Sequence, residues 1–422
     1  LASAKPPSPA RPQVYLHIGT PKSGTTYLQN VLWRNRGRLR EQGVLYPGDT
    51  RHAHVQATFD LRETSFGGRP NPANRGAWDR MVGAVRAWRR GPAIISQELL
   101  SQALPHHVER ALASLDFADV HIVLTVRDLA RQLPAAWQET VKNRSMQPYE
   151  EFLTALQGPP SSWSGPVKAF WQTQDVARVL RLWAAGIPPE RVHLVTVPPP
   201  GAPRGLLWER FCSVVGIDAA RCDTGKVFAN ASLGAAEAEL VRRINEAVRY
   251  KISWQQHNLL VKRHIAQEVL ARRKGTKIEL PADRRAWVAS RSRELVEPLR
   301  GKGYHVVGDL EELLVPPPDA GGSPEPLPPS PAEMLEGACD AIGWLLQHRA
   351  QLDARMDAAP AEAGVQAQLK AKELREAASL LVERATPLSR RVVRRLSERY
   401  PAVMRLRQSY WRYVSAGDDA RA

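Results

Sequence analysis

The chain has 422 residues, room for two or three domains of about 100–200 residues, and with 43% hydrophobic residues it can build a sizeable core. Its 59 Lys and Arg against 43 Asp and Glu give a formal charge of +16, which favours nucleotides, nucleic acid, acidic lipids or sulfated and phosphorylated substrates, while abundant Ala, Arg and Pro offer a purely compositional source for the same charge. Cys212, Cys222 and Cys339 lie in no CxxC or His/Cys cluster, no apolar run approaches the roughly 18 residues of a membrane span, and "LASAKPPSPARP" lacks a signal-peptide core, so the expectation is a cytoplasmic protein without a disulfide scaffold or structural zinc.

Residues 1–12 read as a flexible tail. "VYLHIG" (14–19) is apolar and β-branched, a strand. The helix after it sets Leu28, Val31, Leu32 and Leu39 on one face and ends near Gly43. "VLYP" (44–47) reads as a second short strand, and residues 47–76 as a long polar loop holding His52 and His54. An amphipathic helix spaces Trp78, Met81, Val82, Val85 and Trp88. "AIIS" (93–96) and "HIVLTV" (121–126) are buried-type strands with the helical "HVERALASL" between them. A helix around 171–185, the strand "VHLVTV" (192–197) and the helix "LLWERFCSVVG" (206–216) continue the alternation. The expected fold class is α/β: a mainly parallel sheet flanked by helices, with ligands at the carboxyl ends of the strands. It spans 13–314, followed by a Pro/Gly-rich linker at 315–331 and a basic helical extension at 332–422.

The stretch "GTPKSGTT" (19–26) separates Gly19 from Gly24 as a nucleoside-triphosphate loop does, but Thr25 stands where that loop has its lysine. The lysine is Lys22, inside the turn. Backbone N–H groups of a glycine turn and a helix N-terminus still attract an anion, and Thr25 and Thr26 add hydroxyls. What is weakened is the magnesium geometry, so the loop suits a nucleotide used as a group donor without a metal.

"TPKSGTTYLQ" (20–29) resembles the 5′-phosphosulfate loop of the sulfotransferases that use 3′-phosphoadenosine-5′-phosphosulfate (PAPS). The resemblance implies a P-loop-like sulfotransferase fold and donor contacts from Pro21, Lys22, Ser23, Gly24, Thr25 and Thr26, with Tyr27 against the adenine. "HIVLTVRDLARQLPAAWQE" (121–139) is similar to the 3′-phosphate motif, with Arg127 at the strand end. Ala135 departs from the family pattern, which has a serine there; Arg131, Gln138 or Arg273 would have to substitute. "PAIISQELLSQALP" (92–105) places Glu98 where the family often carries its base, flanked by Ser96 and Ser101. Arg273, Lys274 and Gly275 match the letters of the family's second 3′-phosphate triplet. Plain structural roles stand beside these: an ion pair of Arg127 with Asp128, and a helix cap for Glu98.

The implied reaction moves a sulfuryl group in line from PAPS to a hydroxyl or amine of a carbohydrate, lipid or secondary metabolite. Lys22 stabilises the leaving group, Glu98 takes the proton, and no metal is required. His52 and His54 are candidate acceptor contacts. Two other classes fit parts of the chain. One is an ATP-dependent small-molecule kinase with a degenerate loop and Asp128 on its metal. The other is a basic binding protein, since residues 384–414 carry nine arginines against one acid with aromatic and aliphatic residues between. That segment suits an anionic membrane surface or acidic partner better than nucleic acid, and would make the protein peripheral to a membrane.

Overall fold

Apolar residues on both faces of residues 14–18 put the first strand at the heart of a sheet. The computed structural model describes residues 11–68, 70–225, 232–273, 275–316 and 328–354. Helices α1 (Thr25–Arg34), α2 (Arg36–Glu41), α3 (Ala53–Leu61) and α4 (Ala77–Ala87) lie between β1 (Gln13–His17) and β2 (Ala93–Ser96). Helix α5 (Pro105–Ser114) leads into β3 (Asp119–Val126). Between β3 and β4 (Val192–Thr196) come α6 (Leu129–Lys142), α7 (Tyr149–Gln157), α8 (Gly165–Gln174) and α9 (Val176–Trp183). Helices α10 (Leu206–Val215), α11 (Ala235–Val248), α12 (Trp254–His257) and α13 (Arg285–Val296) precede β5 (His305–Val307), and a π-helical segment, Asn258–Val269, follows α12.

The sheet order is β2-β1-β3-β4-β5 and every pairing is parallel. The chain therefore leaves β1 toward β2 and returns on the other side as β3. The carboxyl ends of β1 and β3 bracket the point where strand order reverses, which is where α/β sheets bind ligands. Strand alternation feeds two cores. Val14, Leu16, Ile95, Ile122 and Leu124 meet Trp78, Val108 and Trp183 on one face. Tyr15, Ile94, Val123 and Val195 meet Leu28, Leu32, Trp208 and Phe211 on the other. Both faces are covered, as an all-parallel sheet requires.

Three local readings change. "VLYP" makes only an isolated parallel bridge, Leu45 to Ala93. The expected loop at 47–76 contains α3, which buries His54, Ala57, Thr58 and Leu61; two polar residues on the inward face hide the helical period from the sequence. The helix expected over 171–185 is two, because the Asp175 side chain accepts from Arg178 N and caps a new start. Arg210 fixes the far end of the sheet: its guanidinium makes two 2.7 Å hydrogen bonds to Glu312 and one of 2.9 Å to the Thr196 carbonyl.

By compactness the chain divides into residues 1–342 and 343–422. Residues 331–354 are helical, and in the first unit Gly337 of this helix lies against Leu240 and Leu270. The second unit is described as helix to residue 354; the arginine-rich 384–414 and most of the 315–331 linker lie outside the described residues. Among the described residues no helix is long and apolar enough to cross a membrane.

Candidate active site

The ladder between β1 and β3 continues beyond both strands and pins the glycine loop to β3. Ile18 N donates to Val123 O at 3.0 Å, Thr20 N to Thr125 O at 2.9 Å, and Thr125 N to Gly19 O at 2.7 Å. Side chains add a second layer. Ser23 Oγ lies 2.6 Å from Thr125 Oγ1, and the buried His17 bridges Thr125 Oγ1 at 3.2 Å and Ser96 Oγ at 2.8 Å. Burial pulls the His17 pKa down to about 3, so this ring is neutral. The Pro21 carbonyl accepts from the Gln132 and Gln174 amides. The turn then takes left-handed backbone at Lys22 (φ 66°) and Gly24 (φ 86°). Only glycine fits at 24, since a Cβ there would lie 2.4 Å from Leu207 Cδ2.

This geometry leaves polar groups without partners. Among the described residues the backbone N–H groups of Lys22, Ser23, Gly24 and Thr25 meet no acceptor. Helix α1 starts there with no side-chain cap and no acid in its first turn. Four unpaired donors and the positive end of a helix make a cradle for an anion.

Arg127 leaves the end of β3 beside the loop. Its Nη1 donates to Lys22 O at 3.1 Å and its Nη2 to Arg131 O, while the buried Nε has no partner. Among the described residues no carboxylate lies within ion-pair distance of it; Asp128 pairs with Arg131 and acts on Arg127 only at longer range. Burial and Arg131 pull the Arg127 pKa down to about 10. It is a desolvated cation whose nearest partners are carbonyl oxygens. Lys22 Nζ pairs with Glu139 Oε2 at 2.5 Å, and Lys262 Nζ takes Glu139 Oε1 at 2.9 Å.

Glu98 opens a 3₁₀ turn directly after β2 and accepts from Gln29 Nε2 at 2.8 Å. Its backbone abuts the loop: a Cβ on Gly19 would lie 3.4 Å from Glu98 O. Ser101 Oγ donates to that same carbonyl. The turn is capped by Gln97, whose side chain accepts from Leu99 N, so the cap role falls to Gln97 rather than Glu98. Next to this turn a cavity of about 100 Å³ is lined by Gln29, Trp33, Tyr46, Arg51, His54 and Ser96, among others. His54 is buried, stacks on Tyr46 at 4.1 Å and accepts from Ser96 N at 3.2 Å; burial lowers its pKa to about 4. His52 is exposed at the start of α3. The two histidines therefore part company, one in the cavity wall and one in solvent. Among the described residues no group of three His, Cys, Asp or Glu is placed to hold a metal.

Other expected site residues occupy the surroundings. Thr25 is buried at the start of α1, and Tyr27 packs half-buried against the Trp208 core. Ala135 lies on α6 one residue after Pro134. Of its three candidate substitutes, Gln138 is spent on Leu233, donating to its carbonyl and accepting from its N–H, both at 3.1 Å. Arg131 is held by Asp128 and the carbonyls of Val197 and Pro198. Arg273 pairs with Glu237, Glu336 and Asp340, and Gly275 packs against Glu237 and Gly234. Lys274 lies outside the described residues.

Sequence reading passed over His17, Thr125 and Glu139, and took Lys142 and Lys262 only as basic character, in "KNR" and "VKRH", of a kind that suits an acidic glycan or faces solvent. For His17 and Thr125 the signal was a polar residue at the end of an otherwise apolar strand. For Glu139 and Lys142 it was their i, i+3 spacing on α6.

The fold is α/β, with a glycine loop of unpaired N–H groups at its topological switch point. No family model matches the chain, and no curated protein does. Among solved structures, a sulfotransferase from Alicyclobacillus acidocaldarius is similar at 18% identity, covering 52% of this chain and 87% of that one, with a TM-score of 0.36.

Proposed function

We infer that this protein is a sulfotransferase that moves a sulfuryl group from PAPS to an acceptor hydroxyl or amine. What carries the reading is the uncompensated charge: four unpaired loop N–H groups and the counter-ion-free Arg127 converge where β1 and β3 end. The displaced lysine of "TPKSGTT" matches the phosphosulfate loop rather than the triphosphate loop. These groups fit a nucleotide bearing two separate anionic ends. The loop would hold the 5′-phosphosulfate, and Arg127 the 3′-phosphate.

PAPS supplies the sulfuryl group; its bridging S–O bond breaks as one to the acceptor oxygen or nitrogen forms. Lys22 and the N–H groups of Ser23, Gly24 and Thr25 offset charge on the departing phosphate oxygen. Glu98, held by Gln29 of the cavity wall, receives the acceptor proton on its carboxylate. His54 and the cavity wall then orient the acceptor.

The experiment is a thermal-shift titration with PAP, PAPS and ATP, each with and without magnesium. The reading expects stabilisation by PAP and PAPS without magnesium. Stabilisation by magnesium-ATP alone would replace it with a kinase. The segment 384–414 we assign to an anionic membrane surface or acidic partner, on its nine arginines. Flotation with anionic liposomes that is the same with and without residues 355–422 would refute the membrane role and leave the acidic partner.

A further inference from the structure

Helix α6 ends beside the loop in a cluster of charge of which the donor reading uses Lys22 alone. Glu139, one turn before the end, binds Lys22 Nζ through Oε2 at 2.5 Å and Lys262 Nζ through Oε1 at 2.9 Å. Asn143 closes the ring: its amide donates to Glu139 Oε1 at 3.1 Å and its carbonyl oxygen accepts from Lys262 at 2.8 Å. Lys142 completes the group from the last residue of α6, on the face of Glu139. It is only 7% exposed and, among the described residues, makes no hydrogen bond and no ion pair, while its ammonium tip keeps some contact with solvent. Burial, then the neighbouring Lys22, with a smaller part from Lys262, pull its pKa down to about 8, and Glu139 offsets them only in part. Glu139 itself is raised by burial and pulled down to about 2 by Lys22 and Lys262.

Three ammonium groups share one carboxylate. The carboxyl end of α6 contributes about half a negative charge, which is one structural reason for cations here. That leaves the cluster about 1.5 charges too positive, with its most buried member unpaired. A largely buried lysine without an acceptor costs stability, and a bound anion would offset that cost. The cluster is reachable, since the side chains of Lys22 and Glu139 are 29% and 31% exposed. Lys262 comes from the π-helical segment, an irregularity that often marks working sites.

We propose that Lys142 and Lys262, grouped with the donor-loop Lys22 around Glu139, form a second oxyanion site, adjoining the donor loop, that takes a sulfate or carboxylate group of the acceptor. The acceptor is then an acidic molecule, such as a carboxylated or already sulfated glycan. This deepens the sulfotransferase reading and rests on it for the word acceptor; the oxyanion site itself does not. Glu139 is the resident counter-ion. It holds the lysines together in the free protein and yields at least one of them to the incoming anion.

The test titrates inorganic sulfate by calorimetry into protein saturated with PAPS, so that the donor's own sulfuryl group already occupies its place. Expected is one sulfate site, weakened about tenfold or more in Lys262→Met and in Lys142→Met, and tightened to a similar degree in Glu139→Gln. PAPS affinity should change by less than about twofold in Lys142→Met and Lys262→Met. Lys262→Met, at the partly exposed edge, keeps the test valid if the buried Lys142→Met fails to fold. Sulfate that binds only free protein and is displaced by PAPS would assign the cluster to the donor and overturn the proposal. So would sulfate affinity unchanged in every folded lysine variant, or an adventitious ion bound with the same affinity by Glu139→Gln. Failure of PAPS to bind at all would instead strike the sulfotransferase reading, and the sulfate titration of unliganded variants would still judge the site.

Discussion

Replacing Arg127 by methionine should leave the empty protein about as stable while disabling it. The guanidinium is drawn from its ordinary value of 12.5 to about 10, mainly by burial and then by Arg131. That corresponds to a cost on the order of 3 kcal/mol for keeping the charge in the fold. The group is protonated throughout the neutral range, so the cost is constant there. Methionine has a similar reach and forfeits two charged hydrogen bonds, to Lys22 O and Arg131 O, at about 1.5 kcal/mol each. The balance is close to zero, a change of less than roughly 2 °C in Tm for a body of this size. Scanning calorimetry with and without PAP reads both halves. At about 100 times its Kd, PAP should stabilise the wild type by roughly 2.7 kcal/mol and the variant far less. A variant destabilised by more than about 1 kcal/mol, or stabilised by PAP as much as wild type, would refute the view of Arg127 as a cation kept for a ligand.

Gly24→Ala puts a methyl into Leu207 at a φ of 86° and should cost about 1–2 kcal/mol in urea unfolding, together with PAP binding; unaltered binding would show the loop backbone is not the cradle. His17, His54 and His193 are all pushed below their ordinary value, to about 3, 4 and 3, chiefly by burial. The fold keeps them neutral and the unfolded chain takes the proton, so their stability is complete above about pH 6.5 and falls as pH drops, by up to about 1.4 kcal/mol per pH unit for each. His54→Gln should make that slope shallower by one proton in melts taken from pH 6.5 to 4. Glu312→Gln breaks the two-bond pair with Arg210 and should cost about 2–3 kcal/mol at neutral pH. Because Arg210 holds the Glu312 pKa below its ordinary value, this difference should shrink as pH falls through the folded value; a constant difference would deny the charge its part.

Much of the framework was legible because parallel strands buried on both faces read as apolar runs: β1, β2, β3 and β4 lie where "VYLHIG", "AIIS", "HIVLTV" and "VHLVTV" put them. The loop and Arg127 were legible for a related reason, since each is a chemical departure at the end of such a run. Helix α3 escaped because its inward face carries His54 and Thr58, and "VLYP" misled because an apolar tetrapeptide can fill a core with a single bridge. The basic segments "KNR" and "VKRH" were legible as suited to an acidic glycan, but their meeting with Lys22 and Glu139 was not. Lys22, Glu139 and Lys262 stand 117 and 123 residues apart in chain separation and meet only through the crossover of α6 and the π-helical segment. Arg273 shows the converse. Its triplet looked like a phosphate grip, and tertiary structure surrounds it with Glu237, Glu336 and Asp340.

The central claim is that the loop carrying Lys22 grips a phosphosulfate donor. Titration calorimetry of PAP onto wild-type protein and Lys22→Met, in buffer without magnesium, addresses it most directly. The account predicts binding by the wild type and a loss of about tenfold or more in the variant, the value of one charged hydrogen bond. No heat of binding in the wild type, or equal affinity in Lys22→Met, would contradict it.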